Sequence, residues 1–187
     1  KHILIAHDLT PEADTALDRA IQLSRQHEAT LTLLHVHAEN EPLNPAEIQS
    51  KLAQRLTHQT LSDLNILFKQ GEPAQTILSH IRGYGADLLV VGPHHRKNQR
   101  SFTGTNLEKL VRHSHIPVLL AVTPAEVPYR KALAALDYSS TATEAFLFAC
   151  NLLPRFSSLH ALYVNEMADA HGRPDPRQVE SEHLLFE

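Results

Sequence analysis

Apolar and polar positions along the chain fall into short blocks whose period switches between that of a strand and that of a helix. Lys1-His2-Ile3-Leu4-Ile5-Ala6 is an apolar run of strand length, ending in the polar His7-Asp8-Leu9-Thr10. Pro11 then takes the favoured first position of a helix, with Thr10 as the expected N-cap. Ala13, Leu17, Ala20, Ile21 and Ser24 recur at helical spacing, which predicts an amphipathic helix to about His27. Ala29 to His37 reads as the second strand. Its continuous Leu31-Thr32-Leu33-Leu34-His35-Val36 run suits a strand covered on both faces.

A turn-rich break from Asn40 to Pro45 precedes a second helical pattern from Ala46 to about Leu61, carried by Ile48, Leu52, Leu56 and His58. Leu64 to Lys69 is a weaker strand that ends at Gly71-Glu72-Pro73. A helix from Ala74 to Arg82 follows, with Gly83 and Gly85 closing it. Asp87-Leu88-Leu89-Val90-Val91-Gly92 is the clearest buried strand. A polar loop, a helix from about Asn106 to His113 and a strand from Pro117 to Val122 complete the pattern. Strands alternating with helices predict an α/β fold: a doubly wound parallel five-stranded sheet with helices on both faces. Ligands of such sheets sit beyond the carboxyl ends of the strands, where strand order reverses. The places to search are therefore His7–Thr10, Val36–His37 and the loop after Gly92.

The pattern then begins again. Lys131-Ala132-Leu133-Ala134-Ala135-Leu136-Asp137-Tyr138-Ser139 echoes the opening strand with its Asp8-Leu9-Thr10. Thr143 to Leu153 echoes the first helix, and Leu159-His160-Ala161-Leu162-Tyr163-Val164 the second strand. After Glu166 the chain turns to Asp, Gly and Pro, with one further helical stretch from Gln178. The expected organisation is one domain over residues 1–124, a proline-marked linker over 125–130 and a partial second domain over 131–187.

Composition narrows the function. The hydrophobic fraction of 42% and charged fraction of 20% are those of a globular chain, and a net charge of −4 offers no basic field for nucleic acid. The single basic cluster, Arg96 to Arg100, has the reach of a phosphate group rather than of a duplex. No apolar run approaches the ~20 residues that span a bilayer, so no membrane partner is expected. The opening residues read as a strand and not as a leader, and a cytoplasmic location is the expectation. Cys150 stands alone, so no disulfide or cysteine-based zinc site can be drawn, and it is expected to be a small buried apolar residue.

Histidine is abundant, at 14 residues. His35 and His37 share a strand face by the period of two, and His7 and His94-His95 fall at nearby strand ends. No helical His-x3-His pair or neighbouring cysteine accompanies them, so no metal is expected and most are read as strand-end or surface residues. No G-x-S-x-G elbow, no G-x-x-x-x-G-K-[ST] loop and no G-x-G-x-x-G fingerprint is present. Phosphoryl transfer needs a metal-holding acid and a group that positions water, and no convincing pair stands out. Catalytic residues are therefore expected to be none.

Gly71-Glu72-Pro73, the Ala86–Gly92 strand and the ending His115-Ile116-Pro117-Val118-Leu119-Leu120 resemble, in register, the universal stress protein family. The resemblance runs from Lys1 to Val122, and Lys131 to Glu166 resembles the opening of a tandem second domain. Nucleotide-binding members of that family carry a loop of the form G-x2-G-x9-G-[S/T]. Gly92 matches its first glycine and Gly104-Thr105 its last pair, while His95 occupies the second glycine position and the loop is one residue shorter. The resemblance implies that Asp8 faces the adenine or ribose, that Val36 meets the base through its main chain, and that Asn106 supplies a further amide. Asp137 and Val164 are the second-repeat equivalents of Asp8 and Val36.

Elementary chemistry agrees with those roles. Glycines let backbone N–H groups approach phosphate oxygens closely. Gly104-Thr105 leads into a helix whose free N–H groups favour an anion, with the Thr105 hydroxyl as an extra donor. Arg96, Lys97 and Arg100 lie on the intervening loop, placed to neutralise phosphates. The expected function is a stress-response protein that binds ATP or AMP, with Mg²⁺ accompanying the nucleotide, and that acts by conformation or assembly. The alternative is a family member that has lost nucleotide, because His95 crowds the phosphates, and that works through dimerisation or partner binding. In either case the terminal strand, Val118 to Val122, offers an edge for a homodimer or an internal tandem pseudo-dimer.

Overall fold

The computed structural model describes residues 1–38, 44–55, 64–93 and 105–163, and the chain divides into two units, Lys1–Pro128 and Tyr129–Glu187. In the first unit β1 (His2–Ala6), β2 (Thr30–His37), β3 (Leu64–Gln70), β4 (Leu88–Val91) and β5 (Val118–Leu120) form one sheet. All neighbours are parallel, in the order β3-β2-β1-β4-β5. The order reverses at β1: the chain first builds outward to β3, then returns to place β4 on the opposite side of β1.

Register explains why these strands are apolar on both faces. Leu4, Leu34, Leu89 and Val91 join Ile77 and Ile81 of α3 (Pro73–Tyr84) and Leu110 of α4 (Asn106–His113) in one core cluster. The alternate residues Ile3, Ile5, Leu33, Leu88 and Val90 point the other way and are equally buried. α1 (Asp14–His27) contributes the buried Ala16, Leu17, Ala20, Ile21 and Leu23, and α2 (Pro45–Arg55) the buried Leu52. Each fully buried leucine contributes about 1.5–3 kcal/mol relative to an exposed one.

In the first unit the start of α1 and both ends of α3 differ from the sequence expectation. Pro11–Ala13 forms a 3₁₀ turn and α1 proper starts at Asp14. Thr10 has extended backbone there, but its hydroxyl makes no cap bond and donates to Asp8. α3 runs through Gly83 and ends at Gly85, whose φ of 63° makes it the left-handed terminating residue. At its other end Glu72 accepts the Gln75 N–H, ahead of Pro73 in the first turn. The predicted helix beyond residue 55 lies outside the described residues.

In the second unit β6 (Lys131–Leu136) and β7 (Ser158–Tyr163) pair in parallel, joined through α5 (Ser140–Leu152). α5 starts three residues before the expected Thr143, because Ser139 caps it by accepting the Ala142 N–H at 3.1 Å. Cys150, expected to be buried, is exposed, and α5 has no buried residue. A two-stranded pair covers only a narrow strip of such a helix, so its apolar positions stay in contact with solvent. Val164 and the stretch from Gln178 lie outside the described residues.

Candidate functional site

Strand-order reversal opens a cleft above β1 and β4, since the connections leave their carboxyl ends in opposite directions. Ala6, His7 and Asp8 line it from β1, Leu34 and Val36 from β2, and Val91, Gly92 and Pro93 from β4. Pro73 and Ile77 of α3 and Leu107 and Leu110 of α4 give it an apolar lining, joined by the polar Asn106 and by Ala13. Four of the residues singled out from sequence, Asp8, Val36, Gly92 and Asn106, therefore share one cleft. Asp137 lies at the equivalent place at the end of β6 in the second unit. His95, Arg96, Lys97, Arg100, Gly104 and Val164 lie outside the described residues.

The Asp8 carboxylate is held by its own turn. Its Oδ1 accepts the Thr10 backbone N–H at 3.0 Å and the Thr10 hydroxyl at 2.6 Å. Between them Leu9 takes a left-handed φ of 65°, a conformation uncommon for a leucine. Asp137 and Ser139 repeat this geometry: the Ser139 N–H donates to Asp137 Oδ1 at 3.0 Å, and Tyr138 has a φ of 59°. Hydrogen bonding from Ser139, side chain first and then backbone, holds the Asp137 carboxyl below its ordinary range.

Val36 offers main-chain groups. Leu34 turns its carbonyl toward β1, where it accepts the His7 N–H, and His37 turns toward β3, where its carbonyl accepts the Gly71 N–H. By the period of two, Val36 has the orientation of Leu34, while pairing with β1 ends at Ala6. Its N–H and C=O thus face the space above β1. At Gly92 the β4 end runs close to the first helix, where an added Cβ would lie 3.4 Å from Ala13 Cα and from Ala16 Cβ.

Thr105 caps α4, its hydroxyl oxygen accepting the Glu108 N–H at 3.1 Å, which leaves the hydroxyl proton free to be donated. The helix thereby presents its N-terminus to the cleft with Asn106 as its first residue. Lys109 binds Glu72 at 3.2 Å and so ties the start of α4 to the start of α3. The Glu72 carboxyl is held below its ordinary range, first by the Gln75 backbone N–H and also by Lys109.

Three histidines depart from the surface role expected for most of them. His7, His35 and His80 are buried. The His35 Nδ1–H donates to the His7 carbonyl at 2.8 Å, and its ring stacks with that of His37 at 6.5 Å. His7 Nδ1 accepts the Leu9 N–H at 2.9 Å, and His7 Nε2 lies 3.2 Å from Asp14 Oδ1, outside hydrogen-bonding alignment. Among the described residues no three metal-ligating side chains gather, and no helix is long and apolar enough to cross a membrane.

Comparison with known proteins places this geometry. Universal stress protein A of Salmonella typhimurium is 27% identical over 136 residues, covering 64% of this chain and 92% of that protein. Its counterpart in Yersinia pestis is 26% identical over 136 residues, with 64% and 90% covered. A universal stress protein solved in complex with cAMP superposes with a TM-score of 0.57 at 22% identity, covering 66% of this chain and 97% of that one. Another, from Archaeoglobus fulgidus DSM 4304, gives a TM-score of 0.65 at 16% identity and covers 98% of this chain and 73% of that one. The model of the universal stress protein family matches residues 1–121, and the chain belongs to that family.

Proposed function

We propose that the cleft binds ATP or a related adenine nucleotide such as AMP, and that the protein answers stress through conformation or assembly rather than fast catalysis. The observation that carries this reading is the convergence of Asp8, Val36, Gly92 and Asn106 on one cleft at the reversal of strand order. The apolar wall of Ile77, Leu107 and Leu110 suits the faces of a base, and the Val36 main chain suits its edge. Asp8, which has a second carboxylate oxygen, suits a ribose hydroxyl. Gly92 and the start of α4 at Thr105-Asn106 suit phosphates, with His95, Gly104, Arg96, Lys97 and Arg100 completing that side and Mg²⁺ accompanying the nucleotide. The cAMP complex of a protein sharing the fold supports the same ligand class.

The same proposal extends to the second unit, where Asp137 and Val164 take the places of Asp8 and Val36 in a partial repeat over 131–187. The turn shared by Asp8-Leu9-Thr10 and Asp137-Tyr138-Ser139 supports it. Assembly as a homodimer, or as an internal tandem pair, would use the edge at β5, where Leu120 and Val122 are exposed. A cytoplasmic working place belongs to this reading.

Thermal melting with and without ATP and Mg²⁺, repeated on Gly104→Asp, tests it. A ligand at ~100 times its Kd adds about 2.7 kcal/mol, a rise that the variant should lose. A second reading, partner binding without nucleotide, is favoured by the Asp8 oxygen that Thr10 already occupies twice. No ATP-induced rise in the wild-type chain would leave that reading in place.

A further inference from the structure

Leu9 cannot donate its N–H to His7 unless Nδ1 carries a lone pair, so the single ring proton of His7 sits on Nε2, facing Asp14. The fully buried imidazole thereby links the start of α1 to the left-handed Leu9, the residue on which the Asp8 turn pivots. We propose that neutral His7 is a positioning residue that keeps Asp8 in its binding conformation, and that protonating its ring releases the turn and weakens nucleotide capture. The binding half of this proposal rests on the nucleotide reading of the cleft.

A second proton has to go on Nδ1, where N–H then meets N–H and the hold on Leu9 is lost. Asp14, on α1, stands 3.2 Å from Nε2 and offers a charged ring a counter-ion. From β2, His35 donates Nδ1–H to the His7 carbonyl, a bond that neutral and charged His35 make alike. Within the turn, Asp8 is bonded to Thr10, and Glu12 is exposed. Gly92 and Pro93 of the β4 end and Asn106 of α4, across the cleft, bring no charge. His7 is thus the member of this group whose protonation state and turn geometry exclude one another.

Nitrogen NMR of the imidazoles in the full chain without nucleotide tests the first half. Near neutral pH, His7 Nδ1 should be unprotonated. On lowering the pH to about 5.5, the Leu9 and Thr10 amide signals should move together with the His7 ring. In His7→Asn an uncharged side-chain oxygen stands in for Nδ1, and those amides should stay still. Titration with ATP and Mg²⁺ then tests the second half: the wild-type Kd should rise as the pH is lowered to about 5.5. His7→Asn should bind with little pH dependence, and His7→Leu, which has no acceptor, weakly throughout. A protonated Nδ1 near neutral pH, or Leu9 and Thr10 amides that move equally in His7→Asn, would overturn the proposal. Equal pH dependence of binding in wild type and His7→Asn would overturn its second half. Absence of ATP binding at every pH would sink the nucleotide reading and that half with it, while the NMR result alone would still decide the turn switch.

Discussion

Asp8 and Thr10 are bound twice over, the backbone N–H and the hydroxyl of Thr10 both donating to the same carboxylate oxygen at 3.0 and 2.6 Å. That pairing stands immediately before the proline at which the sequence suggests the first helix should start. The Thr10 hydroxyl donates to Asp8 and accepts no helical N–H, and a 3₁₀ turn fills the gap before Asp14. The pairing aims one carboxylate oxygen back into the turn, beside the cleft that Asp8 lines. Local hydrogen bonding here holds the Asp8 turn of the candidate site in place.

Glu28 terminates α1 with a left-handed φ of 51°, its N–H donating to the Ser24 carbonyl. It is exposed, so its side chain supports no core packing. A glutamate there bears the steric cost of left-handed backbone and puts a negative charge at the negative end of the helix dipole. Glu28→Gly should therefore raise stability by about 1 kcal/mol, less the extra freedom glycine gives the unfolded chain. Urea unfolding should show a higher midpoint at unchanged slope.

The alternation of apolar runs with helical spacing made the five strands and their helices legible, because strands buried on both faces need continuous apolar sequence and their crossover helices need one apolar stripe. The floor of the cleft followed, since Asp8, Val36 and Gly92 lie just at strand ends. Its apolar lining did not. Ile77, Leu107 and Leu110 sit at ordinary periodic helix positions, and nothing in sequence separates an apolar residue facing a cleft from one facing the core. The burial of His7 was hidden for another reason. Its ring is bonded by the N–H of a left-handed Leu9, and leucine gives no sign of that conformation.

Gly92 marks where steric limits should show. A Cβ at 3.4 Å from Ala13 Cα and Ala16 Cβ is tight but tolerable, whereas further methyl groups would press into the 3₁₀ turn and the start of α1. Gly92→Ala should cost less than about 1 kcal/mol, and Gly92→Val about 1–3 kcal/mol. Chemical unfolding of the two variants distinguishes this steric gradient from a simple need for glycine's flexibility, which would penalise both alike.

Arg19 is a cation buried to 2% exposure whose guanidinium donates to the Val127 and Pro124 carbonyls, each at 2.9 Å, and to Gln22 Oε1 at 2.6 Å. It fixes the proline-marked segment after β5 onto α1 within the first unit. Arg19→Met keeps much of the apolar stem but leaves both carbonyls without this donor, and should cost about 3 kcal/mol. Arg19→Lys keeps the charge but not the fork that reaches two carbonyls, and should recover only part of that loss. Faster proteolysis within residues 123–130 of either variant would locate the effect at this segment.

His80 makes stability depend on acid in a defined direction. It is buried on α3, stacked on Tyr84 with ring centroids 4.0 Å apart, and its pKa is lowered by burial first and then by the charges of Lys69 and His2. A histidine whose folded pKa lies below its unfolded value is protonated more readily in the unfolded chain. Stability is therefore unaffected well above the ordinary value of 6.5 and falls as pH drops through it, until the folded pKa is reached. His80→Phe keeps the stack on Tyr84 and removes the titration, so its melting temperature should fall less than that of the wild type between about pH 7 and pH 5. Parallel curves for the two proteins over that range would mean that His80 takes up its proton as easily folded as unfolded, and that the acid loss arises elsewhere.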